Sequence, residues 1–299
     1  MNIGVIGYGN MGSMIVENIL TLDLLLDDEK LMISNRNIEK LSNLKDEYDN
    51  EKLILSDDNT EIAKNCQKII IAVKTSQFKE VMEEIKPHLN EETHIIHTCA
   101  GLDFKYIESF YDGKLSMFIP TFASKVSLNN SVASQSRRKG ISLIKHNLNV
   151  TLEEKMYIED LLNEFSYVKE FKYGIDFNGN PIESNEIEIA TIICSCAPAF
   201  IATIIEKISE SISLKTSMEK DEIEDMILKT ILGTRIIKED YDMSNKDIIN
   251  TVATKGGITQ EGVDYLNLEA GKISNKLLDN LMKRYDEVKQ DLDQEYLNN

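Results

Sequence analysis

The sequence predicts an α/β Rossmann domain with a mostly parallel sheet, followed by an all-α domain, and three observations carry the prediction. A short apolar strand at residues 2–6 runs straight into Gly7-Tyr8-Gly9-Asn10-Met11-Gly12 and then into a helical pattern. Strand-like and helix-like segments alternate through the first half of the chain. Strand signals end at the turn sequence Asn178-Gly179-Asn180-Pro181, beyond which the apolar spacing is helical throughout. The chain therefore divides into residues 1–181, a dinucleotide-binding domain, and residues 182–299, a helical domain.

The elements follow in order. Strands at 2–6, 30–34, 52–55 and 68–73 alternate with helices at 11–20, 39–48, 59–65 and 78–85, the pattern of parallel strands joined by crossover helices. Further strands fit 93–98, 114–118, 140–145 and 167–171, with a helix at 152–165 between the last two. The second domain reads as helices at 184–193, 198–214, 218–240, 245–252 and from 260 onward. Residues 189–205 carry no charge and approach the roughly 17 to 25 residues that span a bilayer. Pro198 interrupts this segment, Glu188 and Glu206 flank it, and no basic cluster marks a cytoplasmic end. Such a helix in a soluble protein needs burial on every side, in the middle of a helical domain or at a subunit interface.

The composition narrows the function. Thirty-three basic against 51 acidic residues leave a net charge of −18 over 299 residues, a field that opposes nucleic acid and anionic membranes. No basic, then apolar leader precedes the first strand, so a cytoplasmic protein is expected. Cys66, Cys99, Cys194 and Cys196 lack both a disulfide framework and zinc spacing, and are expected as small, buried residues. His94 and His97 lie on one strand with side chains on opposite faces, and no metal is expected.

The glycine motif is a phosphate cradle. Gly7 allows the tight turn, Gly9 lets the backbone approach a pyrophosphate, and Gly12 lets the helix lie against the strand, with free N–H groups at the helix start. Tyr8, Asn10 and Met11 complete the loop. The second strand ends in Ser34-Asn35-Arg36, where an NAD site would place Asp or Glu. A basic residue there suits a 2′-phosphate, so NADP(H) is the expected cofactor, with NAD(H) ranked second. Ala72, Val73, Lys74 and Thr75 follow the fourth strand and should line the cofactor, and Cys99 and Ala100 follow the fifth, near the nicotinamide. In the helical half, Thr254-Lys255-Gly256-Gly257-Ile258-Thr259 opens a helix with two glycines between hydroxyls. Read from spacing, this is either a Thr-capped helix start or an anion nest for a carboxylate.

Together these pieces resemble the pyrroline-5-carboxylate reductases from end to end. The matching segments occur in order: residues 6–12, Ser34-Asn35-Arg36, Ala72-Val73-Lys74, Ala100-Gly101, Pro120, Ala197-Pro198-Ala199-Phe200 with Glu206, and Gly256-Gly257-Ile258-Thr259. The resemblance implies an NADPH-binding Rossmann domain and a helical domain that forms an obligate homodimer, or a higher homo-oligomer. It also implies that Asn59 contacts the adenosine portion and that the loop of Thr254, Gly256, Gly257, Ile258 and Thr259 binds the substrate carboxylate. The chain departs from the family pattern at Ile119-Pro120-Thr121, Cys194-Ser195-Cys196 and Thr254-Lys255. In Ser195-Cys196-Ala197-Pro198-Ala199-Phe200 and Lys255-Gly256-Gly257-Ile258-Thr259 it is similar to the divergent reductase-like proteins encoded with late competence genes in some Gram-positive bacteria.

The activity so implied is reduction of the C=N bond of a cyclic imino acid, 1-pyrroline-5-carboxylate to L-proline or a close analogue, with Thr259 as the catalytic hydrogen-bonding residue. Two alternatives stand beside it. The first is a non-catalytic dinucleotide sensor. The second is a hydroxy-acid dehydrogenase, whose candidate lysine, Lys207, lacks an Asn four residues on.

Overall fold

The computed structural model describes residues 2–48, 51–125, 140–174 and 184–297. The Asn178–Pro181 turn signal lies outside the described residues. The chain divides into two compact units, Met1–Cys196 with Glu287–Asn299, and Ala197–Asp286. The division after residue 181 follows the loss of strand signals, whereas contact places the segment up to Cys196 and the chain's last stretch with the sheet.

The first unit is built on eight strands: β1 (Asn2–Ile6), β2 (Lys30–Ser34), β3 (Leu53–Ser56), β4 (Lys68–Ile71), β5 (His94–His97), β6 (Lys114–Pro120), β7 (Ile141–His146) and β8 (Tyr167–Phe171). They form one sheet in the order β3-β2-β1-β4-β5-β6-β7-β8. Every pair is parallel except β6 with β7, where Ser116 faces His146 and Pro120 faces Ser142. β1 lies between β2 and β4, so the chain reverses its direction of travel across the sheet at β1. In open sheets of this kind that switch point makes the crevice in which ligands bind.

Helices α1 (Asn10–Thr21), α2 (Leu44–Glu47), α3 (Asn59–Asn65), α4 (Thr75–Ile85), α5 (Phe104–Glu108), α6 (Leu152–Asn163) and α7 (Glu186–Thr191) complete this unit, with the end of the chain's last helix. Alternation along each buried strand feeds two cores. Ile3, Val5, Ile33 and Ile70 pack with Ile15 and Ile19 of α1 and Leu162 of α6 on one face. Ile6, Ile69, Ile71 and Ile95 pack with Ile62 of α3, Phe78 and Met82 of α4 and Phe104 of α5 on the other. Each such aliphatic or aromatic side chain contributes about 1.5–3 kcal/mol on burial. His94 and His97 divide between these faces as strand geometry requires. Cys66 and Cys99 are buried thiols, whereas Cys194 and Cys196 are half-buried.

Two local readings differ from expectation. The helix expected at 39–48 is a 3₁₀ turn at Ile38–Leu41 and the single α-turn α2. Asn37 accepts from the Glu39 amide at 3.0 Å and Ser42 Oγ donates to the Glu39 carbonyl at 2.7 Å, so short polar side chains compete with the helical ladder. α5 was not foreseen: five residues give no helical period, and its signal is the Asp103 cap, which accepts from the Lys105 amide at 3.4 Å.

The second unit contains α8 (Ala197–Ser213), α9 (Lys220–Asp240), α10 (Asn245–Val252) and most of α11 (Ile258–Tyr296). The uncharged segment is not one uniform buried helix. α7 passes through a wider π turn, Ile192–Cys196, into α8, and the whole stretch Glu186–Ser213 is long and apolar enough to cross a membrane by length and composition. Only 22% of its most apolar window is buried. Ile201, Ile204 and Ile208 are 48%, 58% and 44% exposed, so one chain does not supply the burial that such a face requires.

Candidate active site

At the switch point, β1 ends at Ile6 and the chain turns through Gly7, whose φ of 97° lies in the left-handed region that favours glycine. A side chain there would meet the Ala72 carbonyl oxygen at 2.8 Å, and one on Gly12 would meet the Gly7 carbonyl oxygen at 2.0 Å. Nothing lies within 4 Å of the position a Gly9 Cβ would take. Gly7 and Gly12 thus close the turn on itself, while Gly9 keeps open space in front of the start of α1. The turn is tied to its neighbours. The Gly7 amide donates to the Ser34 carbonyl at 2.9 Å, the Ala72 amide to the Ile6 carbonyl at 2.8 Å, and the Tyr8 amide to Asn35 Oδ1 at 3.1 Å.

These connections line a crevice of about 280 Å³ with Gly7, Tyr8, Gly9, Asn35, Arg36, Asn59, Ala72, Val73 and Lys74, all expected from sequence. Lys40, Gln77 and Val81 join them unforeseen. Lys40 stands four residues after Arg36 in the 3₁₀ turn, so a second cation borders the end of β2. Gln77 and Val81 lie one helical turn apart on α4, the helix that Lys74 opens; that spacing was the available signal. Burial and then the Glu17 carboxylate push the Tyr8 phenol up to about 12, which keeps it a neutral hydrogen-bonding group.

Other expected residues lie behind the lining. Ser34 is fully buried and its Oγ donates to Asn59 Oδ1 at 2.7 Å, while Asn59 Nδ2 donates to Glu84 Oε2 at 2.8 Å. Asn10 and Met11 are in the first turn of α1, and Thr75 opens α4. Cys99 Sγ lies 3.5 Å from the Val73 carbonyl with Thr75 as a further partner, and burial pushes its thiol up to about 12. Ala100 follows it on the exposed loop after β5. Thr121 is buried, its hydroxyl donating to the Ile141 carbonyl at 2.6 Å, and Ser195 Oγ donates to the Pro120 carbonyl at 3.3 Å.

The threonine-glycine loop belongs to the second unit. Gly256 has a φ of 75°, and the Gly257 amide donates to the Thr254 carbonyl at 2.9 Å. That N–H therefore closes the turn and is engaged within the loop, against the expectation that it would be offered outward. α11 starts at Ile258, so the amides of its first turn face outward at the positive end of the helix dipole. Thr254, Gly256, Ile258 and Thr259 are exposed around that point. Lys207, the lysine of the dehydrogenase alternative, is fully exposed and pairs with Glu210 at 2.8 Å.

Comparison with known proteins agrees with this architecture. A family model described as NADP oxidoreductase coenzyme F420-dependent matches residues 2–101, and one described as pyrroline-5-carboxylate reductase dimerisation matches residues 184–288. A pyrroline-5-carboxylate reductase of Methanobrevibacter smithii is 38% identical, covering 89% of this chain and 97% of that one. ComE operon protein 4 of Bacillus subtilis is 23% identical over 96% of both chains. Among solved structures, a pyrroline carboxylate reductase of Plasmodium falciparum with NADP bound superposes with a TM-score of 0.74 at 22% identity, covering 98% of each chain. The late-competence branch is thus a relative, but the methanogen reductase is nearer in sequence. On the strength of that identity along nearly its whole length, the chain belongs to the pyrroline-5-carboxylate reductase family.

Proposed function

We propose that the protein uses NADPH to reduce the C=N bond of 1-pyrroline-5-carboxylate, giving L-proline, or of a close cyclic imino acid. The observation that carries the reading is the 38% identity to a pyrroline-5-carboxylate reductase across 97% of that protein. The residues present suit an NADP-type dinucleotide. Gly9 leaves room for a pyrophosphate, and Arg36 and Lys40 border the crevice where an NAD site would carry a carboxylate. When bound, NADPH supplies the hydride.

The remaining roles fall to the chain. Gly7, Tyr8, Gly9, Asn10, Met11 and Gly12 form the pyrophosphate cradle, Arg36 with Asn35 and Lys40 meets the 2′-phosphate, and Asn59, oriented by Ser34, meets the adenosine portion. Ala72, Val73, Lys74, Thr75, Cys99 and Ala100 border the nicotinamide half. Thr254, Gly256, Ile258 and Thr259 hold the substrate carboxylate, with the Gly257 amide bracing the loop. Thr259 hydrogen-bonds the ring nitrogen as it becomes an amine, so the chemistry is accelerated by positioning rather than by a strong acid.

Residues 182–299 act as the dimerisation and substrate domain in this reading. The exposed isoleucines of α8 form a subunit contact of a cytoplasmic homodimer, which the dimerisation description of residues 184–288 supports. The sensor alternative draws on one observation: Thr121, in one of the segments that depart from the family pattern, donates its hydroxyl to the Ile141 carbonyl within the sheet. One assay separates the two. Purified protein with NADPH and 1-pyrroline-5-carboxylate should lose nicotinamide absorbance and form proline. NADPH binding by calorimetry without turnover would favour the sensor and sink the reductase.

A further inference from the structure

The geometry points to a divalent-cation site formed by His146, Glu159 and Glu170, with zinc the ion that its donors suit best. The sequence shows no such motif, because the three residues come from the end of β7, from α6 and from β8. The fold brings one ligand atom of each within 4.8 Å of the other two. Ile144 and Glu170 are register partners on β7 and β8, so His146, two residues beyond Ile144, and Glu170 share the sheet face that α6 covers.

Carboxylates near one another are common without any ion, and the decisive feature is the imidazole. The His146 side chain is fully buried, and its Nδ1 lies 2.6 Å from Ser116 Oγ. Ser116 Oγ also lies 2.6 Å from His94 Nε2. A hydroxyl has one proton, so the relay runs in one of two directions, and the one that suits a bound cation runs from His146 Nδ1–H to Ser116 Oγ and from the Ser116 hydroxyl to His94 Nε2. That tautomer leaves a lone pair on His146 Nε2. This buried atom has no hydrogen-bond partner among the described residues and faces Glu159 Oε1 at 3.8 Å. In that tautomer three acceptors converge on one point, an arrangement that a cation among them stabilises.

A ring nitrogen oriented by a hydrogen bond from its other nitrogen is the usual state of a metal-bound histidine. One imidazole and two carboxylates match zinc with a position left for water, whereas calcium or magnesium would require more oxygen ligands. Glu170 is the exposed ligand and gives the ion a route of entry. Lys155 Nζ lies 3.7 Å from Glu170 Oε1 and is the competing cation. Because β7 is antiparallel to β6, His146 lies level with Ser116 near the amino end of β6. β7 is the fourth strand from β1 across the sheet, so the site is set apart laterally from the crevice and would staple β8 and α6 to β7 without entering the chemistry.

The test uses the full-length protein, stripped with a chelator and titrated with Co²⁺ for its visible absorption and with Zn²⁺ against a chromogenic competitor. One equivalent per chain, with a rise in Tm on adding zinc, is expected. Glu170→Gln changes an exposed residue and should keep the fold; it should weaken binding by about a hundredfold, the upper end of what losing even an outer partner costs. Lys155→Met should tighten binding by removing the competing ammonium. No stoichiometric uptake, or equal affinity in native and Glu170→Gln proteins, would overturn the proposal. A Tm that responds to pH and not to zinc would overturn it as well, assigning the cluster to proton sharing between His146 and Glu159.

Discussion

Ser34 and Asn59 are joined side chain to side chain, Ser34 Oγ donating to Asn59 Oδ1 at 2.7 Å, and this bond fixes the first residue of α3 against the end of β2. Asn59 lines the crevice; Ser34, fully buried, does not. Ser34 thus acts through Asn59. Ser34→Ala should weaken NADPH binding by about fivefold, the worth of one hydrogen bond near 1 kcal/mol, with little change in the rate at saturation. Calorimetric NADPH titration checks this, and unchanged affinity would mean that Asn59 needs no such support.

Arg36 and Lys40 border the same crevice, and both are exposed. Arg36→Ala should lower the preference for NADPH over NADH by about tenfold or more, as loss of a charge-assisted hydrogen bond of about 1.5–3 kcal/mol implies. Lys40→Ala should act in the same direction and less strongly, because a flexible ammonium meets phosphate as a point charge. Rates measured with both cofactors decide it. A preference that neither substitution moves would place the 2′-phosphate elsewhere.

The second and third glycines of the nucleotide loop separate binding from folding. A methyl on Gly12 would overlap the Gly7 carbonyl oxygen, so Gly12→Ala should cost about 1–3 kcal/mol of stability. Gly9 has open space before it, so Gly9→Ala should leave stability within about 0.5 kcal/mol yet abolish tight NADPH binding. Thermal unfolding beside NADPH titration distinguishes these outcomes.

His97 stands edge-on to Phe78 and Phe104, at ring separations of 5.4 and 6.1 Å, and neither ring nitrogen has a hydrogen-bond partner among the described residues. Burial drives its pKa down from 6.5 to about 3. The unfolded chain therefore takes up a proton below pH 6.5 that the folded chain refuses. Stability is retained above pH 6.5 and falls as pH drops towards 3, by up to about 1.4 kcal/mol per pH unit for this group. Between pH 7 and 5 the urea midpoint of the native protein should fall more steeply with falling pH than that of His97→Phe. Parallel curves would exclude His97 as a source of acid sensitivity.

Thr259 lies in the first turn of α11, exposed beside the open amides. Thr259→Val should reduce kcat by about a hundredfold while NADPH affinity stays near native, as expected for loss of a hydrogen-bonding group to the reacting nitrogen. Steady-state rates that do not change would remove that role.

The nucleotide half was legible in the sequence because its signals are local. A glycine loop after an apolar strand, and strands alternating with helices, encode both the order of elements and the sheet edge at which a dinucleotide would lie. All eight strands fall within two residues of their expected limits at either end. The crevice-lining residues at the ends of β1, β2 and β4 followed from that pattern. The 39–48 segment misled because apolar spacing does not report the competition of Asn37 and Ser42 with a helical backbone.

Tertiary structure alone decided the rest, since contacts between residues distant in sequence leave no periodic trace. The Ser34–Asn59 bond, the approach of Lys40 to the crevice, the engagement of the Gly257 amide and the convergence of His146, Glu159 and Glu170 all depend on how separate elements pack. The antiparallel β7 is the clearest case. Its residues read as an ordinary strand, but only its direction in the folded sheet carries His146 level with Ser116 of β6, where burial leaves one ring nitrogen facing two carboxylates.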